Sequence, residues 1–280
     1  MLNLIEIPLA IFRNNRGTDK LVFLWKGMTW FLAKRAGISF VARLWNGARI
    51  EVSPSSAYSG VFYFKYPEGK DMEFLRANSG QSDVFVDVGA NVGIFSALMA
   101  DKTPRVVMFE PDPGCFKSIE AMAALNRTMA EFELHNLAVS DRKGQLHFLS
   151  DGALSTTGRL VDQEQGSGAN VSMVRVDTLD NVLGDRFDRV VMKMDIEGGE
   201  EKAFLGATRL FNERRVKLVM FERLGRTNLE AIEALLSSCR YEIFRVLDDG
   251  SLATSRDLVG VPLINLFACP AGSMRSMVRV

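Results

Sequence analysis

Two short stretches of this chain gather residues that can do chemistry. The first is Lys193-Met-Asp-Ile-Glu-Gly-Gly-Glu200, which sets Asp195 and Glu197 just past the apolar run Val190–Met194. Carboxylates are costly to bury unless they are paired, so Asp195 and Glu197 beside Lys193 point to one of two things: a working site that moves protons, or a structural ion-pair cluster. Gly198 and Gly199 permit a sharp exit from the run. Glu222 closes a second apolar run, Val216–Phe221, and is expected near Asp195 if the two runs are neighbouring strands.

The second stretch is Asp87-Val-Gly-Ala-Asn-Val-Gly93, between the apolar run Val84–Val88 and a helical pattern from Ile94. Gly89 and Gly93 let the backbone turn tightly and approach a ligand, and the helix start offers unpaired N–H groups. A dinucleotide fingerprint would need glycines where Asn91 and Ile94 stand, and no phosphate-cradling G-x-x-x-x-G-K-[ST] occurs. Asp87 would repel a pyrophosphate; it suits the sulfonium and ammonium groups of S-adenosylmethionine, directly or through water. Glu110 ends the run Arg105–Phe109 and can accept hydrogen bonds from two ribose hydroxyls. Its plainer role is a carboxylate at a helix start. Ser140 or Asp141, after the next run, can bond an adenine amine, or they form a simple turn.

These residues need elements that hold them. From residue 83 onward short apolar strands alternate with helices: strands at 84–88, 105–109, 132–137, 190–194 and 216–221, with helices from 94, over 113–127, over 200–210 and over 228–238. That pattern predicts a doubly wound α/β sheet covered on both faces, with ligands beyond the strands' C-terminal ends where strand order reverses. Further strands are expected at 145–149, 171–176, 241–247 and 263–268, with a long loop over 152–168. Residues 1–80 read as a mixed extension with a helix near 19–36, a strand pair at 40–45 and 48–52 and a helix over 68–78. Residues 81–270 read as the main domain and 271–280 as a tail. His135 and His147 fall inside strands rather than at their mouths, which favours structural roles for both.

Composition narrows the field. Lys plus Arg equals Asp plus Glu at 34 each, so no global positive field draws in nucleic acid. Three scattered cysteines, Cys115, Cys239 and Cys269, lack metal-ligand spacing and fit a reducing, cytoplasmic setting. No signal peptide is expected, because Glu6 and Pro8 interrupt the apolar start. The segment Leu21–Leu32 is too short for a membrane span. With Trp25, Trp30 and the lysines around them it can lie on a membrane surface, but the simpler reading is a helix packed on the main domain or a second subunit.

The ordered series DVFVDVGANVG, VVMFEPDP, LHNLAVSD, VRVDTLD, VMKMDIEGGEEKAFLGA and LVMFE, over roughly residues 70–225, resembles the FkbM family of methyltransferases. The resemblance implies a class I, Rossmann-like methyltransferase sheet, S-adenosylmethionine as cofactor, and O-methylation of a sugar, glycan or polyketide-type hydroxyl. It also implies a cofactor contact for Glu73, which matches an acidic position shortly before the first strand. One departure is clear: relatives often place a histidine soon after the residue matching Glu222, whereas Arg223-Leu-Gly follows here.

For such a transfer a base must take the hydroxyl proton. Asp195 is the first candidate and Glu222 the second, with Glu197 and Lys193 positioning or tuning them. A divalent metal on Asp195 and Glu222 is an alternative; the metal-free form is preferred because the sequence shows no third ligand. The acceptor is expected between residues 36–80 and the 152–168 loop, with Tyr58, Phe62, Tyr63, Phe64 and Tyr66 available to stack on a sugar. Two other classes stay open: a nicotinamide-dependent oxidoreductase on a similar fold, and a non-catalytic binding module.

Overall fold

The computed structural model describes residues 19–53, 68–150, 158–161, 170–254 and 264–280. An N-terminal helix α1 (Asp19–Ala36) leads into a hairpin, β1 (Phe40–Arg43) and β2 (Arg49–Val52), and helix α2 (Lys70–Ala77) precedes the main sheet. Then come β3 (Val84–Val88), α3 (Ile94–Met99), β4 (Arg105–Phe109), α4 (Pro113–Asn126) and β5 (Glu131–His135). After an inserted region the chain returns with β10 (Val190–Met194), α6 (Glu200–Leu205), α7 (Thr208–Asn212) and β11 (Val216–Arg223). It closes with α8 (Leu229–Ser238), β12 (Tyr241–Val246), β13 (Leu252–Thr254) and β14 (Ile264–Pro270).

The eight strands run in the order β13-β12-β14-β11-β10-β3-β4-β5. From β11 to β5 all neighbours are parallel; β14 enters antiparallel to β11 and β12. The expected doubly wound sheet is present, with an antiparallel edge that the strand pattern did not disclose. Strand order reverses between β3 and β10, so their C-terminal ends open the crevice where ligands bind in such sheets. The central strands are apolar on both faces because helices cover both. Val84, Val86 and Val88 pack with α6 to α8, whereas Phe85 points to the cluster under α2, α3 and the hairpin. That alternation puts Asp87 and its cross-strand partner Lys193 on the same face as Phe85.

The described residues of the extension pack into the core of the main sheet. Phe23 and Trp30 of α1 and Ile50 of β2 share the cluster with Phe85 and Leu98. Asn126 of α4 accepts from Arg49 N at 2.7 Å and donates to Arg49 O at 2.7 Å, sewing the hairpin to the sheet's helices. The tail joins through Asn78, which accepts from Val278 N and donates to Val278 O.

Between β5 and β10 lies a second sheet of order β6-β9-β7-β8, built from β6 (Ala138–Val139), β7 (Gly144–Leu149), β8 (Arg159–Val161) and β9 (Val171–Asp177); β9 leads into a short helix, α5 (Leu179–Leu183). Strand β8 corrects part of the expected 152–168 loop. The third strand ends at His135, earlier than expected, which puts that residue at the strand's mouth. Its ring stacks on Phe109 at 5.0 Å, and Nε2 lies 2.7 Å from Glu133 Oε1. His147 sits mid-ladder in β7, between Val161 and Met173.

Candidate active site

The turn after β3 is shaped by three residues at positive φ: Gly89 at 78°, Asn91 at 51° and Gly93 at 83°. Asparagine is among the few side chains that tolerate this region. At Gly89 a Cβ would collide with the carbonyl oxygen of Asp195, so the turn rests directly on the exit of β10. Gly89 N and Ala90 N donate to Phe109 O at 3.0 Å each, which leaves the loop little freedom.

Glu110 holds this turn from the neighbouring strand. Its Oε2 accepts from Asn91 N and its Oε1 from Asp112 N, both at 2.8 Å, and the side chain is buried. Burial raises its pKa to about 7, against the pull of those two N–H donors. Each carboxylate oxygen keeps a further lone pair for a ligand hydroxyl. Asp112 meanwhile caps α4 through Gly114 N and Cys115 N, and its other oxygen accepts from Ser150 Oγ at 3.0 Å.

Beneath the turn lies a buried charge line. Asp87 is fully buried; its Oδ2 accepts from Ser96 Oγ at 2.7 Å, and its Oδ1 has no hydrogen-bond partner among the described residues. Lys193 Nζ stands 4.0 Å from that oxygen and 3.1 Å from Asp195 Oδ2, over the Phe95 ring at 4.6 Å. Burial pushes the Asp87 carboxyl above the usual range, with Lys193 and Ser96 opposing it.

The carboxylates gather as expected, and more tightly. Asp195, Glu197 and Glu222 each offer an oxygen within 4.8 Å of the others. This corrects the expectation that no third ligand stands beside Asp195 and Glu222. Glu197 adopts φ 57°, and its Oε2 pairs with Arg226 at 2.7 Å, while Arg226 Nε donates to Glu197 O. The buried Glu200 accepts from Gly198 N at 3.1 Å and Ile196 N at 3.3 Å, fixing the loop that carries the cluster. Glu222 is pushed to about 8, first by burial and then by the charges of Asp195 and Glu197.

The turn, Glu110 and the Asp195–Glu197 loop border one cleft; Asp87, Lys193 and Glu222 stand behind it and are not among its lining residues. Gly89, Asn91, Glu110, Asp195 and Glu197 line it, together with Phe109, Leu137, Val139, Phe148 and Leu160. Of the expected cofactor residues, Ser140 and Asp141 are not brought there: the lining stops at Val139, and Ser140 is buried and donates to Asp141. Gly93 lies behind the turn against Met122 and Ile119, and Glu73 is on α2 outside the lining. Missed from sequence were Phe148 and Ser150; Arg159 and Leu160, also in the lining, fall in the 152–168 stretch expected to wall the acceptor. The alternation of Leu146, Phe148 and Ser150 was the available signal. The aromatic residues Tyr58, Phe62, Tyr63, Phe64 and Tyr66 lie outside the described residues.

An acidic, partly apolar cleft at the switch point, without a glycine-rich diphosphate cradle, narrows the choice of families. Residues 87–243, more than half of the chain, match the methyltransferase FkbM domain. The chain belongs to the FkbM methyltransferase family. It is 26% identical over 201 residues to methyltransferase sdnD of Sordaria araneosa, spanning 60% of this chain and 77% of that protein. It is 27% identical over 188 residues to AMB antimetabolite synthetase AmbE of Pseudomonas aeruginosa, covering 63% of this chain but 8% of that protein. Among solved structures, precorrin-6y C5,15-methyltransferase of Geobacter metallireducens aligns over 78% of this chain and 94% of its own, at 13% identity and a TM-score of 0.42. The tRNA (uracil-54, C5)-methyltransferase of Pyrococcus abyssi aligns over 82% and 43%, at 16% identity and a TM-score of 0.43. No helix among the described residues is long and apolar enough to cross a membrane.

Proposed function

We propose that this FkbM methyltransferase moves a methyl group from S-adenosylmethionine to a hydroxyl of a small, polar acceptor such as a sugar, glycan or natural product. The observation that carries the proposal is the grouping of Asp195 and Glu197, on a loop seated against the Gly89 turn, with Glu222 of β11, each offering an oxygen within 4.8 Å of the others. The cleft suits the cofactor. Glu110 offers acceptors for ribose hydroxyls, Phe109, Leu137, Val139 and Phe148 offer apolar walls for a flat base, and Asp87 holds a buried, unsatisfied oxygen under the turn. When bound, S-adenosylmethionine supplies an electrophilic methyl group.

The protein must then orient the acceptor oxygen and take its proton. A neutral hydroxyl is a weak nucleophile, and a positioned base contributes typically ~10²–10⁴-fold. Burial and the charges of Asp195 and Glu197 keep a proton on Glu222 until the pH rises toward 8. Once that proton has left, the carboxylates can accept the hydroxyl proton as the oxygen gains the methyl group. Lys193 fixes Asp195 from below, and Arg226 fixes Glu197 from the side.

A polar acceptor is further supported by a second hollow lined by Glu68, Asp71, Arg245, Asp248 and Asn265. Asn265 is the cross-strand partner of Glu222 and donates to Glu68 Oε2 at 2.7 Å, so this hollow adjoins the proposed base. Similarity to sdnD and to 8% of a synthetase named for an antimetabolite is in keeping with a small acceptor.

The grouping of three carboxylates favours a second reading, a divalent cation on Asp195, Glu197 and Glu222. Lys193 and Arg226 already compensate two of the three charges, so the metal-free form is the primary proposal.

Calorimetry with S-adenosylmethionine, its demethylated product and NADH, followed by a screen of glycans and hydroxylated natural products, tests the reading. Binding of the first two is expected; tight binding of NADH alone overturns it. Asp195→Asn and Glu222→Gln should each lose turnover while keeping cofactor affinity. Full activity in either variant removes that residue from the base.

A further inference from the structure

Eleven large apolar side chains are exposed among the described residues, and eight of them lie within residues 21–45. The concentration has a regular basis. Leu21, Trp25, Met28 and Leu32 follow one another at spacings of four, three and four along α1, an arc of about 60° at 3.6 residues per turn. All four are more than half exposed, at 76%, 74%, 53% and 60%. The opposite side of the same helix carries Phe23, Gly27 and Trp30, which are buried, the two aromatics in the core cluster. Helix α1 therefore has two apolar faces: one packs into the core and the other is exposed among the described residues. Of the expectation of a helix packed on the main domain or a second subunit, packing on the main domain accounts for the first face only. Beyond the helix the exposed stripe continues through Ile38 and Val41, exposed by 56% and 55%.

Charge says what covers this face. Residues 19–53 hold six Lys/Arg against two Asp/Glu, in a chain whose totals balance at 34 and 34. The excess includes Lys26, Lys34 and Arg35 on α1, and Arg43 and Arg49 on the adjoining hairpin. An isologous contact with a second copy would bring two such positive regions together, which is unfavourable. An anionic lipid surface complements both properties: the stripe enters the boundary between headgroups and acyl chains, while the lysine and arginine ends reach back to the headgroups. We infer that the exposed face of α1, through Leu21, Trp25, Met28 and Leu32, lies on an anionic bilayer surface and docks the enzyme there without spanning it. This inference does not rest on the methyl acceptor or on the identity of the base.

All three tryptophans of the chain, Trp25, Trp30 and Trp45, fall in this region, so intrinsic fluorescence reports on it directly. The test is flotation and emission spectroscopy of the full chain with vesicles of phosphatidylcholine alone, or of phosphatidylcholine with one-third phosphatidylglycerol. Flotation and a blue-shifted emission are expected with the anionic vesicles only, weakening as salt screens the headgroups. The exposed pair Trp25→Glu and Leu32→Glu should weaken flotation roughly tenfold or more, with cofactor affinity and melting temperature unchanged as proof of folding. A Trp25→Phe variant should keep flotation and lose most of the blue shift. Wild-type protein that does not float overturns the inference, and so does equal flotation of the double variant. A wild-type dimer that the double variant converts to a monomer, without any vesicle binding, assigns the face to a second copy instead.

Discussion

Glu110 offers the sharpest single test of the cofactor site. Its two oxygens each accept one backbone N–H at 2.8 Å, from Asn91 and Asp112, inside a buried pocket wall. Glu110→Gln keeps the shape but turns one acceptor into a donor facing a backbone donor. Hydrogen bonds to charged groups contribute about 1.5–3 kcal/mol, so losing one toward a ribose hydroxyl should weaken cofactor binding about ten- to hundredfold. Because burial raises Glu110 to about 7, the difference should depend on pH. Well above 7 the wild-type carboxylate is ionised and the gap is full. Well below 7 the wild type is protonated, resembles the variant, and the two affinities converge. Calorimetry with the demethylated cofactor across that range measures this, with melting temperatures recorded in parallel to register the loosened turn. Equal affinities at alkaline pH, or a gap that does not close in acid, would refute the ribose role and leave Glu110 as a brace for the turn alone.

Other outcomes follow from the same geometry. Gly89→Ala should abolish soluble folding or cofactor binding, since it combines a positive-φ penalty of roughly 1–2 kcal/mol with a collision against the Asp195 carbonyl. Gly93→Ala meets the flexible ends of Met122 and Met108 instead and should be milder in thermal melts. Turnover should rise with pH on a limb near 8, and Asp195→Asn should move the residual limb down, because the Asp195 charge helps to raise Glu222. Above the ordinary carboxylate range Glu222 also costs stability: its folded pKa is raised, so stability falls as pH climbs from the unfolded value toward 8. Glu222→Gln should therefore melt higher than wild type at alkaline pH and alike in acid. Exhaustive chelation should leave turnover intact; loss of activity restored by a divalent cation would favour the metal-bound reading.

The parts of this molecule that were legible in the sequence are those buried on both sides. Strands β3, β4 and β10 fall at the expected residues because an apolar run between turn residues has few other ways to fold. Glu222 was expected across the mouth from Asp195, and its neighbouring strand puts it there. The cover of the cleft was legible only in part: a strand was expected at 145–149 and stands at Gly144–Leu149, but β8 was not expected. Strand β8 has three residues and no period to detect, and Phe148 matters only because Gly158 lets its ring lie against the backbone. The helix expected over 200–210 breaks at Gly206, where a Cβ would strike the carbonyl of Ser140. A glycine inside a helical pattern does not announce such a contact. The two apolar faces of α1 were similarly hidden, because composition counts Trp25 and Trp30 alike while the fold places them on opposite sides.

The close seat of Gly89 on the Asp195 carbonyl has one further consequence. The turn that frames the cofactor cleft and the loop that carries the carboxylates are indexed to each other through main-chain atoms, without an intervening side chain to adjust. In the proposed reading, donor and base therefore form a fixed gauge, and a different acceptor is accommodated by whatever stands around that gauge. The four-stranded sheet and the hollow beside Asn265 are free to be rebuilt to that end, while the distance between the two halves of the chemistry stays the same.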